Sequence, residues 1–446
     1  MKRMFLIALL ATGGCASYTP HPLAIGLEAV LAPPVAAIVA RDALAIDRPY
    51  LKPVEIDLSQ PLDPNAIAVV AVIANPDLKA QRLRAGVTDA QAFSARLLPD
   101  PTFSTGASKV VNGPDPLLDL ANALAIDLNA LRTHAVRRAQ ADAQTRQVRL
   151  DLAWAEWQTA GQARIQAVRI QNLERALAIA TAGRAATQSL LDRTLRAAGR
   201  GDLPADQVQA ARIGAFDAQD RLRTLERDLA AARFELTKLL GLPPSFPLTL
   251  APAPLPPPPP DADALFALAR TARADLQALR AGYDAQEAAT HKAVLDQFPT
   301  LGLSVNANRD SAGNTLLGPA IDFTLPLWNR NRGGIAIENA TRNALKAEYD
   351  GRLFQTRAEI AAAVGGIAVA QRQRAAVMRD LPALDRFAAA SRRAANRGDL
   401  ALATAEAAEQ AVRDKRALLA QAEQDLSEQS IALELLTGTP MEDWPR

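Results

Sequence analysis

Arg200-Gly201-Asp202-Leu203 is met again, about 197 residues later, as Arg397-Gly398-Asp399-Leu400, and a repeat of that period decides the fold before any single element is read. Working outward, Asp228-Leu229 recurs as Asp425-Leu426 and Gly241 as Gly438 at the same offset. Upstream, Asp77-Leu78 recurs as Asp275-Leu276, Ala90 as Ala288 and Pro101-Thr102 as Pro299-Thr300, with the offset one residue longer. The chain is therefore read as two copies of one unit, 63–250 and 263–446, joined by a linker at 251–262 that holds Pro252, Pro254 and the proline run 256–260. A proline run has no backbone donors and stays extended, outside a packed core.

The order of elements is the same in both units. A helical stretch (63–95) leads into a strand pair (101–110 and 117–128), then a long helical run (130–198), the Gly201 turn and a return helix to about Leu240. In the second unit the pieces are 263–295, 299–308, 317–327, 335–396 and 400–436. The helices rest on Ala, Arg, Gln, Leu and Glu richness, with apolar residues three and four apart as at Val148, Leu152 and Ala155.

The strands rest on alternation. Leu301, Leu303, Val305 and Ala307 share one face against Gly302, Ser304, Asn306 and Asn308. Ile321, Phe323 and Leu325 alternate with Ala320, Asp322 and Thr324, and Leu124, Ile126 and Leu128 with Ala123, Ala125 and Asp127. A soluble sheet on a core and a membrane barrel with a wet lumen both fit such a pattern. Strands of about ten residues match a tilted bilayer crossing, and the long helices lead away from the sheet instead of covering it, which favours the barrel. Four strands cannot close, and open edges cannot face hydrocarbon. Two copies give a side-chain-filled eight-stranded barrel, whereas three give twelve strands and a passage.

The run 130–198 makes roughly 100 Å of helix, more than a compact globule needs, and the two shorter helices of the unit stacked end to end match it. Three copies then give a tube of helical columns continuing the barrel into the periplasm. Pro382 interrupts the hydrogen bonding of the second long run and is expected to kink it. The 22% charged composition and the lack of a long apolar helix fit columns wet on both sides. The fold class expected is thus an α+β membrane protein, a trimeric twelve-stranded β-barrel with four strands per chain continued by a periplasmic α-helical barrel.

Lys plus Arg (50) nearly balances Asp plus Glu (48), which argues against a nucleic-acid partner. His21, His134 and His291 are too scattered for a local metal site, and no nucleophile with a base, paired carboxylates or phosphate loop stands out. Neither enzyme, metal nor cofactor is expected. Met1-Lys2-Arg3, the apolar 4–11 and Thr12-Gly13-Gly14-Cys15 read as a secretory leader, 1–14, before a lipid-bearing Cys15. The box has Thr12 where Leu is usual, and an ordinary leader cut near Ala16 or Ser17 is the alternative. Residues 15–62 are then a lipidated, extended N-terminal segment, and Ala16 after the cysteine directs it to the outer membrane.

Ordered along the chain, Asn75-Pro76-Asp77-Leu78, Leu98-Pro99-Asp100-Pro101, Phe298-Pro299, Leu325-Pro326-Leu327-Trp328-Asn329-Arg330-Asn331-Arg332-Gly333, the Arg-Gly-Asp-Leu turns, Gly241-Leu242-Pro243 and Gly438-Thr439-Pro440 resemble the outer membrane factors, the TolC-like family of tripartite efflux systems, in its lipoprotein branch. The resemblance implies a passive, homotrimeric exit duct in outer-membrane lipid, docked to a periplasmic adaptor (membrane fusion) protein and an inner-membrane RND-type pump. Its cargo would be small toxic compounds or metal cations. A duct for type I protein secretion, or a periplasmic coiled-coil lipoprotein with no pore, are the alternatives.

Two groups of residues are singled out. Gly201 and Gly398 suit the left-handed end of a helix, and Asp202 and Asp399 are placed to cap the next helix. By resemblance, Arg200, Gly201, Asp202, Arg397, Gly398 and Asp399 form the periplasmic tip, which docks the adaptor and gates the pore. Trp328, Arg330 and Arg332 are expected at the membrane interface, with a plain helix-start role as the alternative.

Overall fold

The computed structural model describes residues 18–21, 23, 26, 32–112 and 118–445. The leader and Cys15 lie outside the described residues, as does Leu117 at the start of the second expected strand. Pro34–Arg446 forms one compact unit. In chain order it comprises α1 (Ala36–Leu44), α2 (Pro64–Ala74), α3 (Pro76–Arg96), β1 (Thr102–Lys109), β2 (Leu118–Asp127), α4 (Leu128–Gly199) and α5 (Ala205–Leu239). The second repeat follows with α6 (Ala262–Ala272), α7 (Ala274–Leu295), β3 (Leu301–Arg309), β4 (Thr315–Phe323), α8 (Arg332–Arg397) and α9 (Leu402–Thr437).

Three expectations need correction. The segment 15–62 is not extended throughout, because Ala36–Leu44 is helical and buries Val39 and Ala43. The helical stretches 63–95 and 263–295 are each two helices. Pro76 cannot continue α2, and Asn75 instead accepts from the Leu78 N–H and caps α3. Arg273 takes the same place in the second repeat with extended backbone. The fourth strand stops at Phe323, where the Thr324 N–H makes the final bond to the Thr300 carbonyl and Pro326 has no donor to offer. Pro382 lies within α8 without ending it.

The strands form one antiparallel sheet in the order β1-β2-β3-β4, so both outer edges are open. Register puts Phe103, Leu124 and Val305 in one row and Ile126, Leu303 and Ile321 in another, all on one face. These side chains are exposed, so nothing among the described residues covers that face. The other face carries Ser104, Ala123, Asn306, Ala320 and similar small or polar residues. Strands of 8, 10, 9 and 9 residues match a tilted bilayer crossing.

Beyond the sheet the helices run side by side as staves. Near the strands the order is α3–α4–α7–α8, and toward the Gly201 and Gly398 turns it is α5–α4–α9–α8. With 72 residues, α4 is about 110 Å long, and α8 with 66 is about 100 Å. Each therefore passes both shorter helices of its own repeat. Contrary to expectation, α8 contains one window apolar and long enough to cross a membrane by composition. Within its stretch 358–370, Ile360, Ile367 and Ala370 pack into the core of the second repeat with Leu265, Ala269, Leu433 and Trp444, while the residues between them are half-buried or exposed.

Candidate functional site

The wall of staves has the same two free edges as the sheet. One edge is β1, α3 and α5, and the other is β4 and α8. Exposed large apolar side chains gather on these edge staves: Leu83, Val87 and Phe93 on α3, Ile213, Phe216 and Phe234 on α5, and Ile337, Phe354 and Phe387 on α8. At 100° per residue, Leu83 and Val87 point away from Leu78, Ala85 and Ala92, the face of α3 that packs on α4. Phe354, at 79% exposed, is likewise roughly 120–160° around α8 from Thr356, Ile360 and Ile367. An edge stave with an apolar stripe opposite its buried one is built to be covered on both sides, and among the described residues only the buried side is covered.

Both Arg-Gly-Asp-Leu turns sit at the end of the staves far from the sheet. Gly201 (φ +81°) and Gly398 (φ +86°) adopt the left-handed conformation. The Asp202 N–H reaches the Ala197 carbonyl and the Gly201 N–H that of Ala198, repeated by Asp399 to Ala394 and Gly398 to Ala395. This is the Schellman ending in duplicate. The capping role expected for the aspartates is corrected, since α5 and α9 start after Pro204 and Ala401 with no side-chain cap. Each carboxylate instead takes the arginine two residues before it, Arg200 Nε to Asp202 Oδ2 and Arg397 Nε to Asp399 Oδ2, both at 2.9 Å. The aspartate backbone is spent closing the helix before it, and that turns its side chain back onto that helix. The charges face solvent as two identical pairs.

Close above the second turn lies a network that residue patterns did not reveal. Arg392 of α8 donates to Glu406 and Glu409 of α9 at 3.1 and 2.5 Å, and Arg413 also pairs with buried Glu406. The hydrogen bond from Arg392 holds the Glu409 carboxyl below its ordinary range. A groove of about 640 Å³ opens beside it, floored by Ala176, Ala180 and Gly183 of α4 and walled by α5 and α9.

Midway along the staves the repeat is visible atom by atom. Asn75 Nδ2 donates to the Leu239 carbonyl of α5, and Arg273 Nη1 donates to the equivalent Leu436 carbonyl of α9. Gly241 and Gly438 then turn with positive φ against these breaks. A Cβ on Gly241 would lie 2.3 Å from the Ala74 carbonyl oxygen. The first repeat adds a clamp absent from the sequence reading, in which buried Glu156 accepts from Arg48 Nε (2.5 Å) and Arg82 Nη2 (2.7 Å). Burial pushes the Glu156 carboxyl up, but the two arginines outweigh it and hold it below its ordinary value.

At the junction between sheet and staves, Trp328 is 89% exposed, Arg332 begins α8, and Arg330 (φ +46°) and Asn331 (φ +50°) are both left-handed. Such a pair of non-glycine residues is strained and has to be held. Asn331 holds it by donating from Nδ2 to the Ala293 carbonyl, and a Cβ on Gly334 would lie 2.4 Å from the Asn331 side-chain oxygen.

Residues 265–439 match the family described as outer membrane efflux protein. No curated protein sequence matches. Among solved structures, the outer-membrane channel OprN superposes with a TM-score of 0.71 at 18% identity over 96% of this chain and 99% of its own. VceC, an outer membrane protein of Vibrio cholerae, gives 0.69 at 16% over 85% and 96%, and the MtrE channel of Neisseria gonorrhoeae, solved in an open state, gives 0.67 at 14% over 84% and 88%. The second repeat thus carries the sequence signature of the outer membrane efflux proteins, and most of the chain has the fold of these outer-membrane channels.

Proposed function

We propose that three copies of this chain close into one passive duct that carries small toxic compounds or metal cations out across the outer membrane. The observation that carries the proposal is the alignment of free edges: the open strands β1 and β4 and the apolar outer stripes of α3, α5 and α8 all lie on the same two sides of one wall. A head-to-tail contact of edge on edge is heterologous and closes into a ring. Three copies bring twelve strands around a lumen lined by small and polar side chains, while two would leave no passage.

In this reading the exposed apolar face of the sheet meets lipid, and Trp328, Arg330 and Arg332 lie at headgroup level on the periplasmic side. Cys15 carries the lipid anchor. The Arg200–Asp202 and Arg397–Asp399 pairs ring the periplasmic mouth, where the duct meets a periplasmic adaptor fed by an inner-membrane RND-type pump. The groove beside Gly183 gives an adaptor helix a small-residue floor on which to lie. A pore-free coiled-coil lipoprotein would leave the apolar face of the sheet in water, at a large hydrophobic cost.

The test is solute release from liposomes. Vesicles carrying the full-length protein and loaded with a small fluorescent solute should empty, while equally loaded protein-free vesicles stay filled. Retention of the solute by vesicles shown to contain the inserted protein would reject the duct.

A further inference from the structure

The charged side chains of the four strands are sorted by sign and by face. Alternation and register place Asp119, Asp127 and Asp322 on the small, polar face. Lys109 and Arg309 fall on the apolar face, in line with Phe103 and Ala107 on β1 and with Leu303 and Val305 on β3. Both cations end their strands at the rim farthest from the helices, one in each repeat. Their register partners on β2 are Leu118 and Leu120. Two strands of lateral spacing and two residues of stagger set them roughly 12 Å apart.

Both side chains are exposed, and neither makes an ion pair among the described residues. The neighbouring Asp310 is engaged by its own loop, accepting from the Ala312 and Asn314 N–H groups and from Asn314 Nδ2. A cation on a lipid-facing strand is costly at mid-membrane and tolerated near the headgroups, where anionic phosphates attract it.

We propose that Lys109 and Arg309 bind the phosphate of an anionic lipid in the leaflet at the far rim of the sheet. The proposal rests on the reading that the apolar face meets lipid. It adds a chemical preference that apolar burial does not supply, and in a closed ring every copy offers the same pair.

The experiment is native mass spectrometry of the full-length protein in detergent with phosphatidylglycerol or phosphatidylcholine of matched chains. Phosphatidylglycerol should be retained on the order of tenfold more strongly. K109Q/R309Q should bring the two lipids level, whereas K109R/R309K, or R227Q on exposed α5, should keep the preference. An undiminished preference in K109Q/R309Q would overturn the proposal. So would displacement of the lipid by inorganic phosphate at equal concentration, which would assign the cations to a free anion. If the protein failed to enter vesicles of either lipid, the duct reading itself would fall.

Discussion

Phe354→Ser tests whether the outer stripe of α8 is a seam between copies. In one copy the ring is 79% exposed, so the substitution removes no packing within the chain and should change the stability of a lone copy by no more than about 0.5 kcal/mol. If the next copy covers the ring, roughly 150 Å² of aromatic surface leaves water. At about 25 cal/mol per Å² this is worth up to about 4 kcal/mol per seam, a thousandfold in association, and it recurs at every seam of a ring. The assay is molar mass by light scattering of the detergent-solubilised protein over a dilution series. The variant should fall apart at concentrations where the parent stays assembled, with helix content by circular dichroism unchanged. An unchanged dissociation profile would refute the seam.

Glu156→Gln leaves Arg48 and Arg82 without their carboxylate. Because both arginines are about a third exposed and can rehydrate, the loss should be about 2 kcal/mol and not the 3–5 of a fully buried pair, read from urea unfolding. The Glu156 carboxyl is held by Arg48 and Arg82 below its ordinary value of 4.5 when folded, so its stabilisation is fully present above that value and fades as pH falls through the folded one. In E156Q the loss of stability below pH 4.5 should be shallower than in the parent. Gly241→Ala forces a Cβ against the Ala74 carbonyl at positive φ and should cost at least about 3 kcal/mol of unfolding free energy, whereas Gly201→Ala, with open space around it, should cost about 1. Asp202→Asn with Asp399→Asn should lower cation preference, measured as a shift in reversal potential under a salt gradient. An unmoved reversal potential would leave these residues a turn-closing role alone.

The fold was legible because its signals repeat. Alternation in 301–308, glycine at Gly201 and Gly398 and two near-constant offsets are local patterns, and the structure places the strands and long helices within a few residues of them. The helix breaks at Asn75 and Arg273 were harder to see. Pro76 announces the first, but the second is held by Arg273 bonding to Asp275 and to a carbonyl of α9, a contact far away in sequence. The aspartates of the turns were identified as charged tips, yet their expected capping fails because a Schellman closure uses their backbone first. Glu156, Arg48 and Arg82 were invisible for a related reason: a charged residue in a helix reads as solvated, and its burial depends on an N-terminal segment more than a hundred residues away. The second apolar stripes on α3 and α8 carry no distinct sequence mark, since their few large apolar residues are interleaved with alanine and charged residues.

The central claim is that several copies close one wall around a passage, and single-channel recording in a planar bilayer tests it most directly. Purified full-length protein, shown to be trimeric in detergent, should give discrete conductance steps of uniform size that last for seconds. Protein recovered from the membrane with no conductance steps at any voltage would contradict the account.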